Sequence, residues 1–97
     1  MNPGDGNVTG VPSALVLRVE LEEFSQLFDA PDRSTGLVRV RATVAQATGA
    51  GDKLLGQRGF VAQRPAPSAD APGGVRALTA ATDAVVQEVE QWLTQFR

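Results

Sequence analysis

The 97-residue chain carries nine Lys and Arg against 11 Asp and Glu, a net charge of -2 and a pI near 4.9. That length suits one domain with a modest core and no large internal cavity, and the acidic balance gives phosphate backbones nothing to follow. With neither cysteine nor histidine, disulfides, thiol chemistry, the usual zinc sites and the commonest general base all drop out.

Residues 1–13 read as a flexible leader punctuated by Pro3, Gly4, Gly6, Gly10 and Pro12, with neither the basic start nor the apolar run of a signal peptide. No stretch approaches the roughly 20 apolar residues of a membrane span. Residues 14–97 are expected to form a single domain. From Ala14 the chain alternates: Leu15, Leu17, Val19 and Leu21 point to one side and Val16, Arg18, Glu20 and Glu22 to the other, the period of a half-buried strand. Phe24, Leu27 and Phe28 follow, and Asp29 to Gly36 supplies turn formers for a hairpin connection.

Alternation resumes over 37–45, with Val38, Val40, Ala42 and Val44 inward and Arg39, Arg41 and Thr43 outward. Antiparallel pairing of the two strands predicts that Glu20 and Glu22 lie opposite or diagonal to Arg39 and Arg41, as structural charge pairs rather than an acid–base or metal site. Thr48 to Lys53 makes a second turn. Its Gly49-Ala50-Gly51 stands between strands, where a hairpin explains it better than a phosphate loop. Residues 54–62 predict a third strand with imperfect alternation. Gly56 and Gly59 there point to a bulge or a close approach that lets Leu55 and Phe60 share a face.

Arg64 to Gly74 reads as a stiff polar connector whose Pro72-Gly73-Gly74 turn releases a long amphipathic helix. Val75, Leu78, Thr82, Val85, Val89, Trp92 and Phe96 recur at spacings of three and four and so share one stripe. Val86 and Leu93 broaden it, and Ala77, Ala80, Ala81 and Ala84 permit close backbone approach. The expected fold is therefore α+β, a three-stranded, mainly antiparallel sheet with one long C-terminal helix on one face. Packing is expected between Leu78, Val85, Val89 and Trp92 and the face bearing Leu17, Val19, Val40 and Val44. Three short strands and one helix are expected to enclose scarcely the ~300 Å³ of a small ligand pocket. No catalytic, metal or cofactor-binding residues are assigned. Two unprotected sheet edges and a broad helix flank including Val86 and Leu93 predict a homo-oligomer.

The order of these pieces is similar to the C-terminal half of the ABC-type transport auxiliary lipoprotein family, which includes the paraquat-inducible protein C lipoproteins. The resemblance is carried by the strand leading into Glu23-Phe24-Ser25-Gln26-Leu27-Phe28, the 38–45 strand, Leu54-Leu55-Gly56-Gln57-Arg58-Gly59-Phe60, a Pro/Ala loop, and the helix from Val75-Arg76-Ala77-Leu78 to Glu90-Gln91-Trp92-Leu93. It implies a non-enzymatic, periplasmic accessory protein, held at the outer membrane by a lipidated cysteine and docked to ABC transporter components that handle lipid or other hydrophobic cargo. This chain has no lipobox cysteine, so the resemblance places the anchor in a longer parent. The alternative is a small module that itself binds a lipid or hydrophobic ligand.

Overall fold

The computed structural model describes residues 14–96; the expected leader and Arg97 lie outside them. Three long strands, β1 (Leu15–Ala30), β2 (Arg33–Thr48) and β3 (Gly51–Pro65), form an antiparallel meander in the order β1-β2-β3. Helix α1 (Ala71–Leu93) lies on one face and ends in a 3-10 turn, Thr94–Phe96. The fold is α+β with one open sheet.

Both hairpins are tighter than the run of turn-forming residues suggests. Only Pro31 and Asp32 separate β1 from β2, because the backbone ladder runs on to the Ala30–Arg33 pair, where Asp29 and Arg33 also form an exposed 3.1 Å ion pair. Gly49 and Ala50 alone separate β2 from β3, and Gly51 follows at a φ of 117°, a backbone angle that favours glycine. The strands therefore run well past the expected 15–21, 37–45 and 54–62. The resulting plank measures 58 × 24 × 19 Å.

Of three register shifts, one, between Phe28 and Ala30, lies at the first hairpin and the other two place the side chains. Between Leu21 and Glu23 the β1–β2 register shifts by one residue, so that Leu21 faces Val40 and Phe24 faces Val38. Phe24 thereby joins the face of Leu15, Leu17, Val19 and Leu21. The second shift lies between Val44 and Ala45, opposite Gly56 and Leu54, and leaves Leu55 as the extra residue. It puts Leu55 and Phe60 on the core side together, as the glycine content suggested. Gly56 also gives way to a neighbour: a Cβ there would sit 2.7 Å from the Phe96 ring. Gly59 has no such role, since its nearest neighbour would be 4.0 Å away.

The helix begins earlier than its apolar stripe implies. Ala71 and Pro72 open the first turn, where proline's missing N–H costs no hydrogen bond, so Pro72-Gly73-Gly74 is helix and not a turn. Asp70 caps it, its Oδ1 accepting from Gly73 N at 2.8 Å and from Ser68 Oγ at 2.6 Å. Gln26 Nε2 donates to the buried Ser34 Oγ and to the Asp70 carbonyl, each at 3.0 Å, tying β1, β2 and the helix start together. Gly73 and Gly74 leave room for Ser68 and Gln26, which a Cβ would strike at 1.9 and 2.1 Å.

Packing decides which strands the helix covers. A Cβ on Gly36 would lie 2.8 Å from the Ala77 carbonyl carbon and the Leu78 nitrogen, so helix and β2 backbones meet nearly bare there. The buried helix residues are Gly73, Gly74, Ala77, Ala81, Val85, Val89 and Trp92. Val75, expected on the stripe, is 63% exposed, because the early turns press down through alanines one residue pair further round. Trp92 closes the far end, its ring edge-on to Phe60 at 5.6 Å and to Phe96 at 5.0 Å. The core is Val38, Val40, Ala42, Val44, Phe60 and Ala62 against Ala81, Val85, Val89 and Trp92.

Replacing Trp92 by Ala should cost about 3–5 kcal/mol, the range for a large buried aromatic, measured by denaturant unfolding. Gly36→Ala should lower stability by about 1–3 kcal/mol through overpacking, whereas Gly59→Ala, with open space, should be neutral or stabilising. The Asp70 carboxyl is held below its ordinary range by the Ser68 hydroxyl and the Gly73 N–H. A folded-state value below the unfolded one contributes stability that is present above the unfolded pKa and lost as pH falls below about 4. Asp70→Asn should keep a cap while flattening the fall in melting temperature between neutral and acid pH.

Candidate interaction surface

The helix rests on β2 and β3 and only lightly on β1. The β1 side chains on the helix side are consequently left half in water: Leu15, Leu17, Val19, Leu21, Phe24 and Phe28 are all 45–63% exposed. The expected packing of Leu17 and Val19 beneath the helix is thus corrected. Val40 and Val44 are covered, while Leu17 and Val19 line a groove beside the helix.

That groove is floored by Leu17, Val19, Leu21 and Phe24 and walled by Val85, Val86, Val89 and Leu93, with Glu90 on its rim. Its volume of about 660 Å³ exceeds the expected ceiling. The reason is geometric: it is a trough open along β1, not a cavity enclosed between helix and sheet. A smaller hollow continues past Phe24 to Val75, Leu78, Thr82 and Asp83.

The helix residues singled out from the sequence divide between two roles. Val85, Val89 and Trp92 are buried in the core, and Leu78 and Phe96 pack partly against it. Val86, at 48% exposure, and Leu93 face the groove. Phe24 and Phe28 extend the exposed strip, and only the doublet Glu22-Glu23, which breaks the alternation, signals the bulge that turns Phe24 to that side.

On the opposite face of the sheet, Arg41 Nε meets Glu22 Oε2 at 3.0 Å with both side chains partly solvated. Glu20 stands directly across from Arg41 without taking the ion pair, because the bulged Glu22 reaches it instead. Arg39 stands across from Glu23, not from Glu20 or Glu22, and makes no ion pair among the described residues. Among the described residues no group of three or more Asp and Glu is gathered as for a metal ion. No described helix is long and apolar enough to cross a membrane.

The energetic consequence of this division can be measured directly. Val44→Ala, in the covered half, should cost about 2 kcal/mol, whereas Leu21→Ser on the open strip should shift stability by less than about 1 kcal/mol. Arg41→Ala should likewise cost under about 1 kcal/mol in moderate salt, since its ion pair is partly solvated.

Comparison with known proteins finds no matching family model, no matching curated protein and no matching solved structure.

Proposed function

We propose that this chain is a non-enzymatic docking module, the accessory component of a Gram-negative envelope ABC transport system that moves lipid or other hydrophobic cargo. The observation that carries the docking role is the uncovered apolar strip on β1 with its adjoining groove. Monomeric soluble domains rarely leave so long a contiguous apolar surface in water, and such surfaces mark places where something else binds. The transport setting is supported by the order of sequence pieces resembling the auxiliary lipoprotein family. In this reading a longer parent is held at the outer membrane by a lipidated cysteine and stands in the periplasm. The domain presents its open strand and helix flank to transporter components and to a second copy of itself, making and breaking no covalent bond.

The groove volume favours one alternative, a module that holds a lipid or hydrophobic molecule itself, since 660 Å³ lies within the usual range of ligand sites. Its open side argues for a weaker, more exchangeable grip than a closed pocket supplies.

Affinity capture from envelope extract with the full-length parent tests the reading. ABC transporter subunits should be recovered with the unmodified parent and lost with Leu21→Glu or Phe24→Asp. Recovery unaffected by either change would take the groove out of the account, and the absence of transporter subunits would overturn the transport role. Saturable one-to-one binding of a fluorescent fatty acid, blocked by Val86→Trp, would favour the alternative.

A further inference from the structure

We infer that the free edge of β1 pairs antiparallel with the β1 edge of a second copy of this chain, about a two-fold axis through Val19. The inference rests on the self-association in the reading above and not on its transport setting.

The edge is built for pairing. β1 is a border strand of the sheet, contains no proline from Leu15 to Ala30, and runs from Leu15 to Leu21 without a bulge. Its backbone polarity is set by one bond: the Ala47 N–H donates to the Ala14 carbonyl at 2.9 Å. Ala14 therefore belongs to a hydrogen-bonded pair with β2, as do Val16, Arg18 and Glu20 at the alternate positions. Leu15, Leu17, Val19 and Leu21 are the intervening pairs, and their N–H and C=O groups point away from β2 toward the free edge.

An antiparallel strand that pairs with its own copy must complement its own reverse, and Leu17-Arg18-Val19-Glu20-Leu21 does so. Centred on Val19, the outward backbone groups of Val19 meet their own copies and those of Leu17 meet Leu21. Arg18 then falls opposite Glu20 of the second copy, twice, at the close-spaced positions of the ladder. Neither Arg18 nor Glu20 holds an ion pair among the described residues.

Other registers fail on charge or on face. Centring on Arg18 or Glu20 sets like charges against each other, centring on Leu17 leaves Arg18 opposite Val16, and centring on Leu21 brings Glu20 against the bulged Glu22. A slip by one residue would turn the apolar side chains of one copy to the charged face of the other.

The helices do not obstruct this arrangement. Each sits above β2 and β3 of its own sheet, so the two axes stand about four strand spacings, ~19 Å, apart, roughly twice the distance of packed helices. Two three-stranded sheets become one, and the two open grooves merge into a single trough floored by Leu17, Val19 and Leu21 from both copies.

Sedimentation at rising concentration tests this with the charge pair exchanged. The unmodified chain should dimerise; Arg18→Glu and Glu20→Arg should each weaken the dimer about tenfold or more, and the double exchange should restore it to within about threefold. A second measurement does not depend on those variants folding. In a chain without cysteine, Val19→Cys should give a reducible dimer under mild oxidation, because paired Cα atoms about 5.5 Å apart lie within disulfide reach, whereas Leu54→Cys on the β3 edge should not. A monomer at high micromolar concentration would overturn self-association itself. A dimer that ignores the charge exchange and crosslinks at Leu54 would overturn the β1 register while leaving association standing.

Discussion

The structure depends on how closely one helix can approach two strands. A helix with its side chains is about 10–12 Å across, while strands repeat every 4.7–4.9 Å, so a single helix covers two strands well and a third poorly. Gly36 beneath Ala77 seats the helix on the middle strand: with no Cβ between them the helix and β2 backbones close up. Trp92, edge-on to Phe60 of β3 and to Phe96, whose ring lies over Gly56 of the same strand, draws the far end toward β3. β1 is left paired by its backbone and unpaired by its side chains.

That imbalance separates stability from function in the chain. The covered half supplies an aliphatic and aromatic core, closed at the helix start by the Asp70 cap and the Gln26 bridge. The open half contributes backbone hydrogen bonds and an apolar strip whose burial is still to be gained. A domain of this size has little surplus stability. Keeping Leu17, Leu21 and Phe24 in water forgoes some of it, and the docking reading accounts for why they are hydrophobic at all. The charged outer face of β1, the Glu22 bulge and the solvated Arg41 pair limit indiscriminate pairing without closing the edge.

Much of the fold was legible because alternation reports which side of a strand is apolar. Val38, Val40, Ala42 and Val44 are buried as their pattern indicates. The same pattern in Leu15 to Leu21 could not tell a covered face from an open one, since periodicity carries no count of how many strands a helix will span. Pro72-Gly73-Gly74 looked like a turn because glycine and proline punctuate turns, yet proline suits the first helical turn and both glycines answer steric needs of Ser68 and Gln26, distant in one case by 48 residues along the chain. Phe24 was hidden by the bulge, which also sets Arg39 across from Glu23 and gives the Arg41 ion pair to Glu22, although Glu20 stays opposite Arg41.

Hydrogen–deuterium exchange followed against protein concentration tests the central claim, that β1 is left open by the helix and completed by another chain. The amides of Leu17, Val19 and Leu21, which point to the free edge, should exchange quickly in dilute solution and become protected as concentration rises, while the amides on the outer edge of β3 stay unchanged. Exchange at those three positions that is already slow in dilute solution, or equally fast at every concentration, would contradict the account.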